Sequence, residues 1–123
     1  MKIAGIISQV LVGFIFVVFG ANAFLHFIPM KPPQGPAGAF MGAMFASGYY
    51  YVVAVLQIVG GLLLLSGRFA SLGLIVVGPI IVNVLLFHIF LEPAGLPLAI
   101  VVAVLSLISL CYHREAFLGL TKA

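Results

Sequence analysis

The chain has 123 residues, of which 65% are hydrophobic and only 6% charged, with a mean hydropathy of +1.41. Soluble domains carry roughly 25% charged residues, so two acids, five Lys/Arg and three His cannot clothe a water-facing surface. A soluble globule, a disordered chain and a nucleic-acid module are excluded, the last because a net charge of +3 is too small for a phosphate-binding stripe. One Cys and no Trp leave neither a disulfide scaffold nor a cysteine-cluster metal protein. What remains is a single membrane domain over 1–123, an all-α polytopic protein whose first partner is the lipid bilayer.

A helix needs roughly 20 mostly apolar residues to cross the hydrocarbon core. Backbone amides cannot stay unpaired there, so spans of this length are helical. The first span is predicted over 3–27, uncharged and ending before Pro29. Lys2, the apolar run and Ala21-Asn22-Ala23 imitate a cleavable leader, but the run exceeds the roughly 7–15 apolar residues of one. An uncleaved helix is expected. The external loop 28–48 opens with Pro29, Pro32, Pro33 and Pro36, which favour stiff, extended chain. Its second half, Ala37 to Phe45, pairs Phe40 with Met44 and Met41 with Phe45 at helical spacing, predicting a short apolar helix that lies in the interface or dips back into the bundle as a lid packed on its own protein. Small residues between them suit close approach to a neighbouring subunit. Tyr49, Tyr50 and Tyr51 mark the headgroup level and are expected to anchor depth rather than build a site.

Further spans are predicted over 49–66, 69–91 and 97–112. Gly13, Gly20 and Gly60-Gly61 offer close-contact points, and Pro79 interrupts the third span's hydrogen bonding. The last span is short and invites extension through Ala116-Phe117-Leu118. Short links at Ser66-Gly67-Arg68 and at 92–96 predict an antiparallel four-transmembrane-helix bundle. Lys2, Arg68, Arg114 and Lys122 fall on one side and Lys31 on the other, which puts both termini in the cytoplasm. Cys111 then lies near the reducing side and needs no partner.

Polar side chains at membrane depth are costly and mark places to look. They are Asn22, His26, Gln57, Asn83, His88 and, at the margin, Glu92. Asn22 and His26 share a helix face, as do His88 and Glu92. At roughly 100° per residue, Asn83 and His88 point about 140° apart, so two small clusters are expected: His26 with Asn22 and His88, and Asn83 with Gln57. The histidines admit interhelical hydrogen bonding, axial ligation of haem or a chlorophyll-type pigment, a metal site shared with Glu92, or a quinone or proton-handling site. Ser106 and Ser109 are expected to bond back to carbonyls. No nucleophile elbow, phosphate loop or HExxH is present, so no catalytic residues are assigned.

Four stretches in order carry a resemblance: Gly20-Ala21-Asn22-Ala23-Phe24-Leu25-His26-Phe27-Ile28-Pro29; Gly35-Pro36-Ala37-Gly38-Ala39-Phe40; Gly60-Gly61-Leu62-Leu63-Leu64-Leu65-Ser66-Gly67; and Pro79-x3-Asn83-x4-His88-x4-Pro93. Together they resemble the DoxX-like family of small bacterial membrane proteins. That resemblance implies a four-helix fold in the bacterial cytoplasmic (inner) membrane. It also implies ties to thiosulfate oxidation coupled to quinone, or to complexes handling oxidative stress and sulfur. Gln57 stands where similar proteins often carry an acid. The expectation is an accessory or scaffolding subunit of a respiratory or photosynthetic redox complex, partnered by other membrane subunits or by itself. The alternative is a quinone-linked oxidoreductase, or a haem- or pigment-binding subunit, using His26 and His88.

Overall fold

The computed structural model describes residues 2–26 and 34–119. Lys31, Lys122 and three of the loop prolines lie outside these residues. The described chain is helical: α1 (Lys2–Leu25), α2 (Gly35–Ser47), α3 (Tyr49–Ser66), α4 (Ala70–Phe90), a 3-10 turn (Pro93–Gly95), α5 (Leu96–Tyr112) and α6 (Arg114–Leu118). Helices α1, α3, α4 and the stretch Pro93–Tyr112 are long and apolar enough to cross a membrane. Their outward surfaces are greasy, with Phe14 60%, Val52 62% and Leu107 58% exposed. Water would charge heavily for that surface, whereas lipid tails accept it. The chain is therefore a multi-pass membrane protein.

Local chemistry explains where the helices stop. α1 ends at His26, whose left-handed φ of 52° turns the chain while its N–H donates to the Asn22 carbonyl at 2.9 Å. Histidine is among the few non-glycine residues that tolerate this conformation. The short helix predicted in the loop is present and longer than expected, with Pro36 in its first turn, where the missing N–H costs nothing. Gly67 closes α3 in the left-handed region and returns its N–H to Leu64 at 3.3 Å. The last span is lengthened at its start, by the 3-10 turn at Pro93–Gly95, and not at its end. After Tyr112 the chain bends at His113, and α6 is a separate element.

α1 packs on α3 and α5, and α4 packs on the same two, so the four long helices close a ring. Glycine sets how near they come. A Cβ at Gly13 would sit 2.8 Å from the Gly61 carbonyl, and one at Gly73 would sit 2.9 Å from the Gly60 carbonyl. The adjacent pair on α3 thus admits a different helix on each side, by the small-residue packing that membrane helices rely on. Between the contacts, Val12, Phe16, Leu64, Leu74, Val77 and Val102 form the core. That core fills one half of the ring. The other half is open.

Candidate functional site

The open half is a cavity of about 500 Å³, within the roughly 300–1,000 Å³ range of small-molecule sites. α1 contributes Ile15, Phe16 and Phe19, α3 contributes Tyr49, Tyr50, Val53 and Gln57, and α5 contributes Leu98, Ala99 and Val102. α4 supplies a broad wall from Ile80 to His88 that includes Asn83 and Phe87. α2 closes it with Phe40, Met41 and Met44. The predicted interfacial helix is thus a wall of the cavity: Phe40 meets Phe87 at 5.5 Å between centroids, and Phe45 stacks on Tyr50 at 4.2 Å. Tyr49 and Tyr50 line the site, which corrects the expectation that the tyrosine triplet only anchors depth.

Three of the polar residues singled out in the sequence meet here. Gln57, Asn83 and His88 line one cavity, although a separation near 140° argued for separate clusters. The cavity reaches from α3 across to the 3-10 turn, so it faces a wide arc of α4, and both directions open into it. Asn83 Nδ2 donates back to the Pro79 carbonyl at 2.9 Å, leaving its second N–H and its oxygen for a ligand. No described residue hydrogen-bonds the Gln57 amide. Neither side chain glues helices together.

His88 is held on three sides. Its Nδ1 lies 2.9 Å from the Glu92 carbonyl, and because a carbonyl only accepts, Nδ1 carries the proton. Nε2 is left with a lone pair. The ring packs edge-on against Phe87 and rests on Gly95, where a Cβ would strike Cε1 and Nδ1 of the imidazole. Only glycine fits beneath it. Glu92 therefore serves through its backbone.

Asn22 and His26 do not join this group. Asn22 is buried on α1, and His26 is exposed at the helix end, off the cavity wall. The expected cluster of His26 with His88 is not formed: His26 is exposed and does not line the cavity that His88 lines. The described residues contain no group of three His, Cys, Asp or Glu side chains able to hold a metal ion, so the arrangement of His26, His88 and Glu92 weighed above is not assembled.

A second polar group lies at the opposite end of the ring and was not anticipated. Gln9, 4% exposed, donates from Nε2 to the Leu64 carbonyl at 2.9 Å, and its Oε1 accepts from His113 Nε2 at 2.8 Å. One amide so ties α1, α3 and the end of α5. The criterion that picked Gln57 also picks Gln9, a lone amide in an apolar run. Ser106 bonds back to Val102 as expected, at 2.8 Å, but Ser109 Oγ is fully buried with no partner among the described residues.

No protein-family model, no curated protein and no solved structure matches the chain.

Proposed function

We propose that the protein is a membrane-embedded subunit that holds a lipid-soluble ring of the quinone class in the cavity between α1, α2, α3, α4 and α5. The cavity itself carries the reading: about 500 Å³ of largely apolar space with hydrogen-bonding groups at a few positions on its wall. Phe16, Phe19, Tyr50 and Phe87 offer rings for stacking, and Met41 and Met44 offer polarisable sulfur. Gln57, the second N–H of Asn83 and the tyrosine hydroxyls are donors suited to quinone oxygens. The lone pair on His88 Nε2 is an acceptor suited to a quinol hydroxyl. A site with both kinds of group holds either redox form. A haem held between His26 and His88 is disfavoured, since only His88 lines the cavity.

Within this reading the chain serves as an accessory subunit of a membrane redox complex, with neighbouring subunits supplying and removing electrons. The resemblance to the DoxX-like family, with its ties to quinone-coupled sulfur chemistry, supports that assignment. We further propose an antiparallel bundle in a bacterial inner membrane with both termini cytoplasmic, supported by the Lys/Arg bias. The α2 end, with the cavity, is then external. The exposed small-residue side of α2, where a Cβ on Gly42 would meet nothing within 4 Å, is the proposed contact for a partner subunit or a second copy.

Equilibrium binding to purified protein tests the ligand assignment. A short-tailed benzoquinone should quench tyrosine fluorescence saturably, with no Trp to obscure it. Gln57→Leu removes one neutral hydrogen bond of about 0.5–1.5 kcal/mol, weakening affinity about two- to twelvefold. A straight-chain alcohol of matching length that binds as well as the quinone would refute the assignment.

A further inference from the structure

We infer that the end of the bundle remote from the cavity carries a site for a phosphate group, in the first instance the headgroup phosphate of an anionic phospholipid. A concave space of about 470 Å³ is lined there by Lys2, Tyr112, His113, Arg114, Glu115 and Ala116. Its depth follows from the spans: one membrane-crossing helix starts at Lys2 and another ends at Tyr112, so the concavity sits where lipid headgroups lie. Basic pockets between membrane helices at this level suit phosphate-bearing headgroups.

The donors are free to serve. Arg114 uses one guanidinium nitrogen on the Cys111 carbonyl, at 3.2 Å, and keeps the rest of its fork. His113 donates from Nε2 to the Gln9 oxygen, which fixes the ring on the wall and leaves the donating to Arg114 and Lys2. Gly5 lets α1 lie directly on Tyr112, since a Cβ there would run into that ring. The start of α1, with Lys2, is thereby brought beside Arg114. A 24-residue helix with no acid in its first turn presents its positive end at this place. Glu115 is the one acid on the wall. It forms no ion pair with Lys2 or Arg114 among the described residues, so neither cation is neutralised. The site is independent of the quinone reading: it lies at the other end of the ring and shares no residue with the cavity.

Native mass spectrometry of the detergent-solubilised full chain tests this, titrating phosphatidylglycerol against phosphatidylcholine, with inorganic phosphate as a third arm. Each basic side chain near a headgroup is worth about fivefold in affinity. Phosphatidylglycerol should therefore be retained well over tenfold better than phosphatidylcholine. Lys2→Gln and Arg114→Gln should each cost it about fivefold, and cost phosphatidylcholine less, since its choline offsets the phosphate charge. Inorganic phosphate held without a lipid preference, and lost in both variants, would confirm the site and assign it to a soluble phosphate. If either variant loses helix content by circular dichroism, Glu115→Gln decides: removing the lone acid should tighten phosphatidylglycerol binding several-fold. Equal retention of both lipids in the wild type, no phosphate binding, and no gain in Glu115→Gln would overturn the proposal.

Discussion

Replacing Gly61 by Ala probes the contact on which the ring of helices depends. The added Cβ would lie 2.7 Å from the Gly13 carbonyl oxygen, 2.7 Å from Val17 Cγ2 and 3.0 Å from the Val17 nitrogen. Two of these atoms are backbone and cannot swing away. Ordinary contact begins at 3.4 Å, so α1 and α3 must part by about 0.7 Å. Overpacking of this kind costs about 1–3 kcal/mol, offset by up to about 1 kcal/mol because Ala favours a helix over Gly. A net loss of about 0–3 kcal/mol is expected, whereas an unobstructed Gly→Ala change should gain up to about 1 kcal/mol. Reversible unfolding in mixed micelles, followed by circular dichroism against the denaturing detergent fraction, measures it. Gly42→Ala is the control, since its Cβ would meet nothing within 4 Å and should cost nothing. Equal stability of Gly61→Ala and Gly42→Ala would refute the close-packing argument.

Gln9→Leu removes two interhelical hydrogen bonds that average about 0.6 kcal/mol each in membranes, with a ceiling near 1.7. A loss of about 1–3 kcal/mol is expected, and a double-mutant cycle with His113→Phe should show coupling where independent roles would show none. Gly95→Ala places a methyl under the His88 imidazole and should weaken quinone binding about two- to tenfold at unchanged helix content; unchanged affinity would mean that the ring's seat is immaterial. Single cysteines in a Cys111→Ser background should label from the periplasmic side at Gln34→Cys and Pro93→Cys, and from the cytoplasmic side at Lys2→Cys and Arg68→Cys. Labelling of all four from one side would defeat the proposed topology.

Periodicity and length made the spans legible, because crossing lipid demands long apolar runs and little else. Boundaries shifted where one residue's backbone decided the matter, as at His26, or where a proline-led 3-10 turn lengthened a span, as at Pro93–Gly95. Gln57, Asn83 and His88 stood out for their cost at membrane depth, and the structure brings them onto one cavity. The cavity was not legible. It is made by helix spacing, through glycines whose partners lie some 50 residues away in sequence, as Gly13 and Gly61 do. Asn83 and His88, about 140° apart on α4, could not share a point-like site, but this cavity spans an arc of α4 wide enough for both. His113 was overlooked because it lies just past the last span, where polarity attracts no notice, yet its partner Gln9 is buried deep.

The central claim is that a quinone-class ring occupies the cavity. Photolabelling with an azidoquinone in proteoliposomes, with adducts mapped by mass spectrometry, tests it most directly. The account predicts adducts on Met41 or Met44 of α2, on Tyr50 to Gln57 of α3 and on Asn83 to His88 of α4, all competed away by unlabelled quinone. Adducts confined to outward residues such as Phe14 and Leu107, or labelling that competitor leaves unchanged, would contradict it.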